Sequence, residues 1–116
     1  KKVVTGGRAA ATLIFDEVDS GIGGSVAEVV GRKLKEIAGR QQTICITHLA
    51  QIASFADRHH SISKKMQQGR TVTLVKNLDS LKDREDEVAR MLGGTTITPK
   101  TREHAREMLK AARGRA

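Results

Sequence analysis

The sequence has no Trp and no Tyr, and its only aromatic side chains are two Phe. That argues against an aromatic platform on which single-stranded bases stack. A single cysteine, Cys45, excludes an internal disulfide framework and a multi-cysteine zinc site. It fits a reducing compartment and, between Ile44 and Ile46, reads as an inert buried thiol. No apolar run approaches the length of a membrane span, so no membrane partner is expected. The opening Lys1-Lys2-Val3-Val4-Thr5 turns polar at once, so no signal peptide is expected. Lys1 stands where an initiator Met would, so a longer parent chain is expected. Acidic residues are also in deficit. The chain has 21 Lys and Arg against 13 Asp and Glu, a formal charge of +8 over 116 residues. Such a balance makes a polyanion a reasonable partner.

The elements read in a definite order. Ala9 to Phe15 is a short apolar run that ends in Asp16-Glu17-Val18-Asp19, a buried strand with acids at its carboxyl end. The flexible stretch Ser20-Gly21-Ile22-Gly23-Gly24 follows. Ser25-Val26-Ala27-Glu28 has the form of a capping box and predicts a helix start. Val26, Val29, Val30, Leu34 and Ile37 make one apolar helix face. Gly31 inside that helix predicts close contact with a sheet, and Gly39 a stop. Thr43 to Thr47 is β-branched and predicts a second buried strand. Strand, helix and strand make a parallel βαβ unit with a right-handed crossover.

Beyond Asp57 the pattern becomes alternating. His60 to Lys64 and Thr71 to Val75 predict a hairpin that turns between Gln67 and Arg70. Ser80 precedes a mixed-charge helix from Leu81 to Leu92, closed by Gly93-Gly94. Thr98 caps a last helix with Pro99 in its first position. The expected fold is therefore α/β, a parallel βαβ core followed by a hairpin and two helices. It forms a single segment, 1–116, divided at about residue 57.

Ligands gather at the carboxyl ends of parallel strands. Asp16 and Glu17 end the first strand and His48 follows the second. The run Thr12-Leu13-Ile14-Phe15-Asp16-Glu17 has the form of a Walker B motif. In that motif apolar residues hold two acids rigidly at a strand end. Asp16 would bind magnesium, through water, because magnesium keeps part of its hydration shell. Glu17 would orient and polarise the water that attacks a γ-phosphate. Each feature alone also describes a plain strand end. The ordered set of acidic pair, Gly-containing loop, helix, strand and Thr47-His48 carries the reading. The group His48, Asp57, His59 and His60 fits no standard zinc spacing.

The last helix has an apolar stripe, Ala105, Met108, Leu109 and Ala112. Arg102, Arg106, Lys110 and Arg113 form a basic stripe beside it. That stripe suits phosphate contacts to duplex DNA and equally a solvated face near a helix C-terminus. Glu103 and Glu107 at helical spacing from Arg106 and Lys110 predict surface ion pairs within that helix.

Three segments together resemble the RecN family of bacterial DNA repair ATPases, relatives of the SMC proteins and of the ABC class. They are Thr12 to Gly24, including Asp16-Glu17-Val18-Asp19-Ser20-Gly21-Ile22-Gly23-Gly24; then Thr47-His48-Leu49; then Ala89-Arg90-Met91-Leu92-Gly93-Gly94. The resemblance implies the C-terminal lobe of a P-loop ATPase head, with ATP and Mg2+ as ligands. It implies that Asp16 is the Walker B aspartate and binds magnesium, that Glu17 is the catalytic base, and that His48 is the switch histidine at the γ-phosphate. Ser20, Gly21 and Gly23 fall in the D-loop, which faces the other subunit across the nucleotide. It implies as partners an upstream half of the same head, a homodimer formed by head engagement, and DNA. It places the work, double-strand break repair and recombination, in the bacterial cytoplasm at the nucleoid. Two residues depart from the pattern: Gly23 where related D-loops carry Asp, and Ala50 where the family has Pro.

An ATPase needs a Gly-rich loop ending in Lys and Ser or Thr. Neither Gly6-Gly7-Arg8 nor Gly21 to Gly24 has one, and the ABC signature segment is absent. Alone, the chain is expected to be inactive. Two rival readings are a head from another ABC-class ATPase, and a non-catalytic DNA-binding or interaction module that keeps the fold. The Val18-Asp19 pair speaks against a transporter, and intact Asp16, Glu17 and His48 speak against a degenerate module.

Overall fold

The computed structural model describes residues 2–5, 11–16, 18 and 20–114. Two short strands, β1 (Lys2–Thr5) and β2 (Leu13–Asp16), are followed by helix α1 (Gly24–Ala38) and strand β3 (Thr43–Ile46). A one-turn helix α2 (Ala50–Ala53), strands β4 (His60–Gln67) and β5 (Arg70–Asn77), and helices α3 (Leu81–Gly93) and α4 (Pro99–Gly114) complete the order. The predicted βαβ unit is present. β2 pairs β3 in parallel, with Ile14 opposite Ile44 and Asp16 opposite Ile46. The strand expected from Ala9 begins only at Leu13, and Ala9 and Ala10 lie outside the described residues.

One strand was not expected. Lys2–Thr5 pairs antiparallel with β2, Val3 opposite Phe15, so the three-stranded sheet is mixed, in the order β1-β2-β3. Its four residues are β-branched at three positions, enough for an edge strand once a partner supplies the ladder.

The start of α1 also differs from expectation. Gly23, in an extended conformation, is its N-cap, and no side chain caps it. The Gly23 carbonyl accepts from Ala27 N–H at 2.9 Å. Ser25 therefore lies inside the first turn and cannot serve as the cap of a capping box. The buried positions of α1 are Ala27 and Gly31, whereas Val26 and Val29 are exposed. The apolar face read from Val26 to Ile37 is thus only partly covered. Gly31 does permit a close approach, but to α2 and the segment after it: a Cβ there would lie 2.6 Å from Phe55 Cδ2 and 3.1 Å from the Gln51 carbonyl oxygen.

The core lies among the helices. Ala50, Val88, Ala89, Ala105 and Leu109 form it, with Met91, Leu92 and Met108 packed against it. The apolar stripe of α4 is buried as expected at Ala105, Leu109 and Ala112. Helices α3 and α4 have side-chain caps, that of α4 at the predicted Thr98. Ser80 Oγ accepts from Asp83 N–H at 3.0 Å, and Thr98 Oγ1 accepts from Thr101 N–H at 3.1 Å.

The hairpin matches its prediction and extends it. Its turn is two residues, Gln68 and Gly69, with φ of 51° and 75°. Positive φ at both positions suits the right-handed twist of the flanking strands, and glycine takes it without steric cost. The two hairpin strands contact chiefly each other. The radius of gyration, 15.0 Å, exceeds the roughly 13 Å of a compact domain of this length, as a projecting ribbon requires.

Candidate nucleotide site

Parallel pairing of β2 and β3 sets the geometry. Asp16, the last residue of β2, stands opposite Ile46, the last residue of β3. Asp16 is half-buried. Two residues past Ile46, His48 is exposed in a bend. The carboxylate and the loop that carries the imidazole therefore share one edge of the sheet. Thr47 shapes that loop, since Leu49 N–H donates to Thr47 Oγ1 at 3.0 Å. Leu49 then caps α2, its carbonyl accepting from Ile52 and Ala53 N–H, both at 3.1 Å. The sequence pattern alone assigns Thr47 no role. Its signal is a hydroxyl two residues before the cap of a helix. Ala50 occupies the first position of α2 and is buried. Proline is accommodated at a first helical position, so the Ala50 departure leaves this turn unchanged.

Glu17, the expected base, lies outside the described residues, as does Asp19. Ser20 and Gly21 are exposed in a turn after β2, and Gly21 has φ of 77°. Gly23 leads into α1 as its cap. Among the described residues, chain neighbours aside, no atom lies within 4 Å of a Cβ built at Gly21 or Gly23, so this loop presents its backbone outward from them. A Cβ at Gly24 would sit 3.3 Å from Gln51 Nε2, which brings α2 beside the start of α1.

Among the described residues, no group of three or more His, Cys, Asp or Glu is placed to hold a metal ion. Magnesium asks less of a protein than that. It is commonly held by one or two carboxylates together with substrate phosphates and water, and Asp16 at a strand end is a donor of that kind.

His59 and His60 go elsewhere. His60 Nδ1 is 2.6 Å from Asn77 Oδ1, across the base of the hairpin. His59 is half-buried, and burial first, then the nearby Arg84 guanidinium, lowers its pKa below the ordinary imidazole value. Its Nδ1 has no hydrogen-bond partner among the described residues. The neutral ring is the form that this packing favours.

The basic stripe of α4 is only partly free. Arg102 pairs with Asp86, and Arg106 Nε lies 3.5 Å from Glu85 Oε1, both acids being on α3. The Arg102 contact and Lys82 hold the Asp86 carboxyl below its usual range. For Arg106, the expected partner within its own helix gives way to one across the α3–α4 contact. Lys110 and Arg113 remain exposed.

No helix among the described residues is long and apolar enough to cross a membrane. No family model matches the chain. Comparison with known proteins finds DNA repair proteins RecN. The chain is 44% identical to that of Bacillus subtilis over 101 residues, covering 87% of this chain and 17% of the relative. With RecN of Halalkalibacterium halodurans it shares 42% over 114 residues, 97% of this chain and 20% of the relative. With RecN of Deinococcus radiodurans it shares 45% over 98 residues, 84% of this chain and 17% of the relative. At such identity over nearly all of its own length, the chain belongs to the RecN family as a segment, spanning about a fifth of the length of the relatives it matches.

Proposed function

We propose that this chain is the Walker B, D-loop and switch-histidine half of an SMC-like ATPase head. It would hydrolyse ATP together with an upstream segment that supplies the phosphate-binding loop, and the whole would act in bacterial DNA double-strand break repair. The observation that supports this most is the parallel register that sets Asp16 and the His48 loop at one sheet edge. Asp16 would hold the magnesium ion. The ion's charge, when bound, offsets that of the triphosphate. Glu17 accepts a proton from the attacking water, and His48 orients the γ-phosphate by a hydrogen bond. Phosphoryl transfer asks mainly for positioning and charge stabilisation, so these few groups suffice once the other half is in place. Ser20, Gly21 and Gly23 approach the nucleotide of a second head, as ATP-driven dimerisation of heads would require.

The upstream half would cover the open side of the sheet. Ile14, Ile44 and Ile46 lie on one face of β2 and β3, exposed by 37%, 44% and 47%. The ladder of β3 has β2 on one side and no described strand on the other. An exposed apolar face beside an unpaired strand edge invites a further strand and covering helix. Co-expression with the upstream segment of the parent protein is expected to yield a co-purifying complex. Ile44→Glu would bury an unpaired carboxylate at that contact. Because Ile44 is exposed in the chain alone, the variant should keep its far-UV circular dichroism yet lose at least about 100-fold in affinity for the upstream segment. Undiminished co-purification of the variant would refute this assembly.

A further inference from the structure

The hairpin has a charge pattern that the ATPase reading does not use. Between His60 and Asn77 there are four cations, Lys64, Lys65, Arg70 and Lys76, and no Asp or Glu. The pairing register separates its two faces. Lys65 opposite Val72 and Gln67 opposite Arg70 share one face; Lys64 opposite Thr73 and Met66 opposite Thr71 share the other. Lys76 is different, since it borders a cavity lined by Asp83, Asp86 and Glu87 of α3. The three cations nearer the turn have no such acids beside them. Among the described residues none of Lys64, Lys65 and Arg70 takes part in an ion pair, and all are exposed. The segment from Lys64 to Thr73 adds Gln67, Gln68, Thr71 and Thr73, all neutral hydrogen-bond donors.

We infer that the distal half of this hairpin, through Lys64, Lys65 and Arg70, binds the phosphate backbone of duplex DNA. The inference deepens the proposed repair role and rests on DNA being the partner. It places the contact on the ribbon and away from α4, where Arg102 and Arg106 already face acids. A two-stranded ribbon has the width to enter the major groove of B-DNA. Its tight two-residue turn and full ladder make it a preformed element. The distal half has no aromatic side chain, which favours the duplex over stacked single strands. Lys side chains reaching phosphates bind without regard to sequence, and binding of that kind weakens steeply with salt.

The test is fluorescence anisotropy of the 116-residue chain with a labelled 20-base-pair duplex, over a series of salt concentrations. The triple variant Lys64→Gln/Lys65→Gln/Arg70→Gln alters exposed side chains only, and circular dichroism checks its fold. It should bind about tenfold more weakly or worse at low salt, and the slope of log K against log[salt] should fall by roughly three. Lys64→Arg/Lys65→Arg should bind as the wild type does. Lys110→Gln/Arg113→Gln should change little. A triple variant that binds like wild type overturns the hairpin assignment. If the α4 variant alone loses affinity, DNA stays as partner at another surface. If the wild-type chain shows no salt-sensitive binding at all, both the hairpin assignment and a DNA contact by this chain fall, while the ATPase reading keeps its own test. If instead Ile62→Glu, on the face of β4 that also carries Lys64, disrupts co-purification with the upstream segment and the triple variant binds DNA normally, the ribbon is a protein contact and the inference is wrong.

Discussion

Glu17→Gln is expected to lower ATP turnover by the assembled head about 100- to 10,000-fold, the range for losing a general base, and to leave ATP binding nearly intact. Glutamine keeps the size and hydrogen-bonding reach of the side chain but cannot accept a proton from water at neutral pH. Asp16, one residue earlier at the end of β2, is given a different task. Asp16→Asn should weaken magnesium-dependent nucleotide binding itself, because it removes a charge that offsets the metal. Turnover and filter-bound nucleotide measured on the same preparations separate the two roles. A Glu17→Gln head that turns over ATP at the wild-type rate would remove Glu17 as the base.

The second large effect is on stability. Gly31→Val should lower the melting temperature of the chain by about 10 °C. A Cβ at this position meets Phe55 Cδ2 at 2.6 Å and Cε2 at 3.1 Å, and the Gln51 backbone carbonyl also at 3.1 Å. Phe55 is buried, so its ring has little room to withdraw. The carbonyl belongs to α2, whose end is further tied by Ser54 Oγ donating to the Ala50 carbonyl at 2.7 Å. Overpacking of this kind costs about 1–3 kcal/mol, and 1 kcal/mol moves Tm by roughly 4–8 °C in a domain near this size. Gly31→Ala should cost less, since alanine recovers about 1 kcal/mol of helix propensity. Calorimetry of the two variants checks the order. A valine variant as stable as wild type would mean that α1 and α2 are free to move apart.

Gly31 also shows where sequence reading stops. That a glycine in mid-helix marks a close approach follows from its missing Cβ. What approaches does not follow, and the sheet was the wrong choice, because α2 is a single turn with no period to detect. The βαβ unit, the hairpin, the helix after Ser80 and the cap at Thr98 are legible because each rests on local chemistry. The capping box failed because the cap is Gly23, two residues before Ser25, and a glycine offers no side chain. β1 escaped because four residues make a strand only when β2 lies beside them. The same holds for Arg102 and Arg106. Their spacing along α4 shows a stripe, and only the α3–α4 contact shows that Asp86 and Glu85 face it. At the candidate site the order of residues placed Asp16 and His48 at two strand ends, and the parallel register brings those ends to one edge.

If this chain supplies half of an ATP site, turnover requires the upstream segment. The most direct measurement is phosphate release from ATP by this chain, by the upstream segment, and by the two co-purified. No release above buffer is expected for either alone, and steady magnesium-dependent turnover is expected for the complex. A complex that forms and yet releases no phosphate, or a chain that hydrolyses ATP equally well by itself, would contradict the half-site role.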